Sequence, residues 1–284
     1  KTVFYLAYGS NLAYETFQGK RGIKPLSQVN VLVPELRLTF DLPGIPYNEP
    51  CFANSARRVA DESEDIAPMS EKTALMSGSP DYHKDHWKKG LVGVVYEVTL
   101  EDYAHIIATE GGGAAYQDIL VACYPLLDPE TVPEYPTTEP FMAHTLFAPA
   151  VETPLPGDAP PKDGGRLHRP DTSYAQPSAR YLKLITDGAE EHGLPQEYRD
   201  YLYDIQPYTM TTKKQKIGQA IFAALWVPLF FMIITLGQMF QDKNGRSPKW
   251  LVAIQSAMFS ATWVSYDTIF KPIFGDGERT MEKE

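Results

Sequence analysis

The stretch Thr2-Val3-Phe4-Tyr5-Leu6-Ala7-Tyr8-Gly9-Ser10-Asn11-Leu12 decides how the chain is read. Its first seven residues are mostly β-branched or aromatic and run into Gly-Ser-Asn, so Thr2–Tyr8 reads as a buried strand. Ala13 to Gln18 then reads as helical, with Ser10 or Asn11 as its cap. A strand that stops at a glycine turn before a helix start leaves backbone N–H groups open at the positive end of a helix dipole, a place for a carboxylate or an oxyanion. Such turns are also frequent where no ligand binds, so the turn alone assigns no site.

Working outward, Val29–Phe40, interrupted by Pro34, reads as one or two strands, and Leu91–Val98, Ile119–Tyr124 and Phe141–Ala148 as further ones. Thr99 opens a helix, with Asp102 three residues on and Tyr103, Ile106 and Ile107 on one face, and Gly111-Gly112-Gly113 ends it. A later helix over Ala179–Gly193 carries Tyr181, Leu182, Ile185 and Ala189 at helical spacing, and a short one follows over Gln196–Tyr203. The pattern is α+β, with a sheet rich in hairpins. Residues 58–90 are polar, and residues 129–177 hold 11 of the chain's 24 Pro. Both stretches read as inserted loops, as lids or partner surfaces in one reading and as plain disorder in the other.

The chain has 284 residues and a formal charge of −10, unevenly spread: −13 on residues 1–212 and +3 on residues 213–284. There is no basic stripe, which argues against a nucleic-acid partner. Two cysteines, Cys51 and Cys123, are too few for a disulfide scaffold and read as small buried residues in a reducing compartment. Neither has a catalytic partner nearby in sequence. His83 and His86 have an H-x-x-H spacing without a third ligand, so no metal is expected, and His105, His144, His168 and His192 form no constellation. No secretory signal opens the sequence.

Glu110 breaks a local rule. It falls at the C-terminal end of the helix begun by Thr99, where the helix dipole disfavours a carboxylate. Violations of this kind gather at functional sites, and the dipole with partial burial would raise the carboxyl's pKa toward a proton-transfer range. An exposed surface glutamate is the plain alternative.

Three segments taken together change the weighing. Tyr5-Leu6-Ala7-Tyr8-Gly9-Ser10-Asn11-Leu12, Glu110-Gly111 with Tyr116 after it, and Ser178-Ala179-Arg180-Tyr181 leading into Gly188-Ala189-Glu190-Glu191-His192-Gly193-Leu194-Pro195-Gln196-Glu197-Tyr198 resemble, in this order, the γ-glutamylcyclotransferase family. Ile205-Gln206-Pro207 is similar to the family's Ile-x-Pro end, so the resemblance spans about residues 3–210. It implies a small mixed β-barrel or sheet with flanking helices. It also implies a reaction in which the α-amine of a γ-glutamyl unit attacks its own γ-carbonyl, releasing 5-oxoproline and an amine without metal or cofactor. By the same resemblance Glu110 is the catalytic proton carrier, Tyr5, Leu6, Ala7, Tyr8, Gly9, Ser10 and Asn11 hold the glutamyl group, and Tyr116 and Tyr181 line the pocket.

The chain departs from the compact family pattern at the 58–90 insertion, at the Pro-rich 150–177 loop and after residue 212. The enlarged loops imply a bulky γ-glutamyl conjugate, as in the fungal branch that trims glutathione adducts during biosynthesis of sulfur-bridged toxins such as gliotoxin, which the chain resembles most. A binding module that keeps the pocket and has lost turnover is the other reading; Glu110 and the intact turn speak against it. Residues 1–212 thus read as the catalytic domain and 213–284 as an apolar helical tail. Ile217–Phe240 is 24 residues without a charge, after Lys213, Lys214 and Lys216, and Trp250–Tyr266 adds 17 more after Lys249. A helical hairpin associated with a membrane through 217–266, its enzyme domain facing the cytoplasm, is one expectation. A pair of packed core helices or an oligomer interface is the other.

Overall fold

The computed structural model of the chain describes residues 1–58, 84, 86–109, 117–148, 169, 171, 173–240 and 247–281. Glu110, Tyr116, His83 and His168, most of the first inserted loop and residues 149–168 of the second lie outside the described residues.

Seven strands are formed: β1 (Thr2–Ala7), β2 (Ser27–Val33), β3 (Leu36–Ile45), β4 (Glu49–Arg57), β5 (Leu91–Thr99), β6 (Gln117–Pro125) and β7 (Phe141–Phe147). Five of them close a barrel in the order β1-β5-β2-β6-β7, and β3 and β4 make a separate two-stranded ribbon. All neighbours are antiparallel except at the closure, where β1 meets β7 in parallel with Tyr5 opposite His144. The fold is therefore α+β with a small mixed barrel. β5 lies between β1 and β2 and is buried from Leu91 to Tyr96, which explains its nearly unbroken apolar sequence.

Pro34 separates β2 from β3, so Val29–Phe40 is two strands rather than one. The strand β4 had no sequence signal. Apart from Phe52 its residues, Glu-Pro-Cys-Phe-Ala-Asn-Ser-Ala-Arg, are small or polar, yet Asn54 and Ser55 are fully buried. Their burial is possible because the polar groups are paired: the Asn54 amide donates to Asp41 and to Ala148 O at 2.8 and 2.7 Å, and the Ser55 hydroxyl donates to the Tyr8 hydroxyl. Tertiary pairing here overrides weak β-propensity.

Helix α1 (Leu100–Thr109) begins as the sequence indicates: Thr99 Oγ1 accepts from the Asp102 amide at 3.1 Å and donates to its carboxylate at 2.7 Å. Helices α2 (Ala179–Glu191) and α3 (Gln196–Asp204) cover one side of the barrel. Ser178 caps α2 by accepting from the Tyr181 amide. The segment after the Tyr8-Gly9-Ser10-Asn11 turn differs from expectation. In place of a capped helix over Ala13–Gln18 there is a single 3-10 turn, Ser10–Leu12, and then a π-helical turn, Glu15–Lys20, and neither Ser10 nor Asn11 makes a side-chain cap.

The C-terminal region forms α4 (Lys213–Phe240) and α5 (Lys249–Ser265), continued by a π-helical turn (Tyr266–Phe270) into α6 (Lys271–Phe274). Near its base the pair packs Phe222, Trp263, Tyr266 and Phe270 around Tyr47 of the β3–β4 turn, a second cluster apart from the main core. Beyond the base, Val227, Phe231, Met232, Ile234, Met239 and Phe240 of α4 are exposed.

Candidate active site

The cavity at the end of β1 is small, about 50 Å³, and is lined by Tyr5, Tyr8, Gly9, Ser10 and Asn11 with Ala53 from β4, Thr145 and Leu146 from β7, and Tyr181 from α2. Six of the residues named from sequence, Tyr5, Tyr8, Gly9, Ser10, Asn11 and Tyr181, are thus brought together. Leu6 and Ala7 are not among the lining residues: both are buried in the β1 ladder opposite Val95 and Val94. Ala53, Thr145 and Leu146 were missed. Ala53 sits on the strand with no sequence signal, and the other two lie on a recognised strand whose partner across the barrel closure no local pattern reveals.

Each wall has its own fastening. The Tyr8 hydroxyl donates to Leu146 O at 2.9 Å, and Thr145 Oγ1 donates to Leu6 O at 3.1 Å, which binds β7 to the turn. The Asn11 side-chain amide donates to the Tyr5 hydroxyl at 2.8 Å. The Ala53 amide donates to the Tyr181 hydroxyl at 3.1 Å, and the Tyr181 ring meets Phe52 edge-on at 5.0 Å. A Cβ at Gly9 would stand 3.3 Å from the Tyr181 hydroxyl and 3.5 Å from the Ala53 Cβ, so any larger side chain fills the cavity. Among the described residues the amides of Gly9 and Ser10 have no acceptor, so two adjacent N–H groups are available beside the cavity for an anionic oxygen.

The third segment of sequence, around Gly188–Gly193, turns out to be the seat for the first. At Gly188 the helix α2 touches the turn so closely that a Cβ would fall 2.5 Å from Leu12 C and Cβ and 2.6 Å from Ala13 N. The Tyr14 amide donates to the Glu191 carboxylate at 2.6 Å. His192 Nε2 lies 2.9 Å from Leu12 O and 2.7 Å from the Tyr96 hydroxyl, and its ring meets Tyr14 edge-on. Because a carbonyl only accepts, Nε2 carries the proton and donates to Leu12 O. Nδ1 has no partner among the described residues.

His144 and His192 are each held by partners of their own and form no constellation with each other. Besides this latch, His144 Nδ1 pairs with the Asp118 carboxylate at 2.8 Å and packs on Tyr103, whose hydroxyl is pushed up by burial and by that carboxylate. Burial holds His192 below its ordinary value of 6.5, despite its bond to Leu12 O. A histidine with a lowered pKa in the folded state stabilises the fold above its unfolded value and loses that contribution as pH falls through the lowered one. Thermal unfolding followed between pH 7 and pH 5 is expected to show a falling Tm that His192→Gln makes shallower; equal slopes would show that the latch does not titrate.

Both cysteines are buried, as expected, and burial pushes the Cys123 thiol up to about 12, which leaves it inert. A larger cavity, about 180 Å³, lies under residues 126–138 next to Leu32 and Tyr124. Its one charged group, Asp128, is occupied in holding its own turn through the Glu130 and Thr131 amides. Chemistry therefore points to the smaller cavity.

Residues 212–273 match the family model described as the AclK C-terminal domain. The gamma-glutamyl cyclotransferase gliK of Aspergillus fumigatus is 31% identical over 279 residues, covering 97% of this chain and 89% of that protein. The gamma-glutamyl cyclotransferase aclK of Aspergillus oryzae is 28% identical over 285 residues, covering 98% and 90%. A solved gamma-glutamyl cyclotransferase structure aligns with a TM-score of 0.46 at 19% identity, over 75% of this chain and 93% of the other. With the Aspergillus fumigatus relative 31% identical over 97% of this chain, the chain belongs to the gamma-glutamyl cyclotransferase family of enzymes.

Proposed function

We propose that residues 1–212 bind a γ-glutamyl unit in the small cavity and cyclise it, releasing 5-oxoproline and the amine it was joined to. The supporting observation is the cavity itself, at which the Tyr8–Asn11 turn, Tyr5 and Tyr181 converge. In this reading the Gly9 and Ser10 amides take the α-carboxylate or the oxyanion formed at the γ-carbonyl. Glu110 accepts a proton from the α-ammonium and returns one to the departing amine, and Tyr116 joins Tyr181 at the wall. The new bond is from the α-nitrogen to the γ-carbon, and the bond that breaks is the γ-amide C–N bond. Nucleophile and electrophile belong to one molecule, so folding the substrate into a near-attack shape supplies up to about 7–11 kcal/mol.

The long insertions 58–90 and 150–177, absent from the compact family pattern, favour a bulky glutathione-derived conjugate, of the kind trimmed during fungal toxin biosynthesis. Comparing 5-oxoproline release from γ-glutamyl-alanine, glutathione and a glutathione S-conjugate tests both parts. Fastest release from the conjugate is expected. Release from none of the three would refute turnover, and tight binding without release would favour the binding-module reading.

The tail 213–284 is proposed to hold this enzyme at a membrane, catalytic side toward the cytoplasm, with Lys213, Lys214 and Lys216 at the headgroups. Among the described residues α4 is the one helix long and apolar enough to cross a bilayer. From the base cluster to the tip, Phe222–Phe240 rises about 27 Å and Trp250–Tyr266 about 24 Å, near the roughly 30 Å of a hydrocarbon core. At the tip of that span the exposed Phe240 and Trp250 rings meet edge-on, 5.5 Å apart. Detergent-free fractionation is expected to find the full chain in the membrane pellet and resistant to a salt wash. Recovery wholly in the soluble pool would overturn the tether.

A further inference from the structure

Among the described residues one non-glycine residue has a positive φ: Tyr47, at 63°, in the turn between β3 and β4. A bulky L-residue rarely adopts this backbone, and it persists where the surroundings over-determine it. Those surroundings are the tail. The Tyr47 amide donates to Gly277 O at 2.8 Å, its hydroxyl donates to Gly275 O at 2.8 Å, and the Gln219 side-chain amide donates to Tyr47 O at 3.0 Å. Its ring, 1% exposed, packs between Phe222 and Tyr266.

The strand that leaves this turn builds a wall of the cavity. Glu49, two residues on and buried, accepts from the Ser178 hydroxyl at 3.1 Å and from Arg180 Nε at 2.6 Å, at the start of α2. Ala53, four residues further, lines the cavity and donates its amide to the Tyr181 hydroxyl. The segment after α6 reinforces the same grip: the Gln176 amide donates to Glu278 O, the Thr280 amide to the Gln176 side chain, and Gln215 Nε2 to Asp276 O. A continuous path of paired groups thus runs from α4 and the chain end, through Tyr47 and β4, to Tyr181.

We infer that Tyr47 is a positioning residue through which the C-terminal tail sets the Ala53–Tyr181 wall of the cavity, and so the enzyme's grip on its γ-glutamyl substrate. The inference rests on that reading of the cavity. The tail is then a working part of the site as well as a tether, which the compact 1–212 unit would lack. The partners of Tyr47 named above do not line the cavity, so its removal loosens substrate binding while leaving the chemistry of bound substrate in place.

In the full-length chain, Tyr47→Ala is expected to raise KM about tenfold with kcat changed less than about threefold. Amide hydrogen exchange over residues 49–55 is expected to quicken in the same variant. Tyr47→Phe keeps the ring and the backbone bonds and is expected to restore both readouts nearly to wild type. Gln219→Ala removes one bond from the tail side alone and serves if Tyr47→Ala does not fold; a KM rise of about threefold with faster exchange over 49–55 is expected. Unchanged KM and unchanged exchange in either variant would overturn the inference, as would an equal loss of kcat in Tyr47→Ala and Tyr47→Phe. Exchange is read without substrate, so a wild-type chain that releases no 5-oxoproline refutes the proposed reaction while leaving the coupling measurable.

Discussion

Glu110→Gln is expected to lower the rate of 5-oxoproline release by about 10²–10⁴-fold, the range supplied by a positioned general acid–base group. Glutamine has nearly the same size and still makes hydrogen bonds, but it cannot take the α-ammonium proton or return one to the leaving amine. Binding of a γ-glutamyl ligand and the melting temperature are therefore expected to stay near wild type. The helix α1 ahead of it ends at Thr109, whose hydroxyl donates to His105 O and Ile106 O and accepts from Arg21. A Gln variant with wild-type turnover would remove Glu110 from the mechanism.

The second large effect is at Gly188. In an exposed helix, glycine to alanine stabilises by roughly 1 kcal/mol through helix propensity. Here the new methyl would lie 2.5 Å from Leu12 backbone and side-chain carbons. Those atoms belong to the turn that forms the cavity, so the clash is relieved only by moving the turn or the helix. Overpacking of this kind costs about 1–3 kcal/mol, which outweighs the propensity gain and reverses the sign. Gly188→Ala is thus expected to lower Tm by several degrees, and to lower turnover further than the loss of folded protein explains. Calorimetry with an activity assay on the same preparation checks both. A rise in Tm would mean that helix and turn are less tightly seated than the geometry requires.

Gly188 also shows what sequence patterns can and cannot carry. The Tyr8-Gly9-Ser10-Asn11 turn and the Gly188–Pro195 segment were each legible as motifs, and the strands of the barrel were legible from apolar runs such as Leu91–Val98. Their relation was not. That one motif is the seat of the other depends on a contact across more than 170 residues, and no local pattern encodes it. The strand β4 escaped for a different reason: its buried polar residues are satisfied by distant partners, Asp41, Tyr8 and Ala148, so its sequence looks like a loop. The helix expected after the turn is present but wound as a π-helix over Glu15–Lys20 and without a side-chain cap, a winding that no residue pattern announces. The latch at His192 had no signal in sequence because its partners, Leu12 O and Tyr96, come from other segments. The tail was legible as two apolar helices from charge-free length alone, whereas its hold on Tyr47 depends on a left-handed tyrosine that no propensity suggests.

The central claim is that the chain performs an intramolecular cyclisation rather than a hydrolysis, and the two differ in the origin of one oxygen. The most direct measurement is product analysis by mass spectrometry after turnover of a glutathione S-conjugate in ¹⁸O-enriched water. Cyclisation predicts 5-oxoproline without label, formed in equal amount to the freed amine. Glutamate carrying one ¹⁸O, in place of 5-oxoproline, would contradict it.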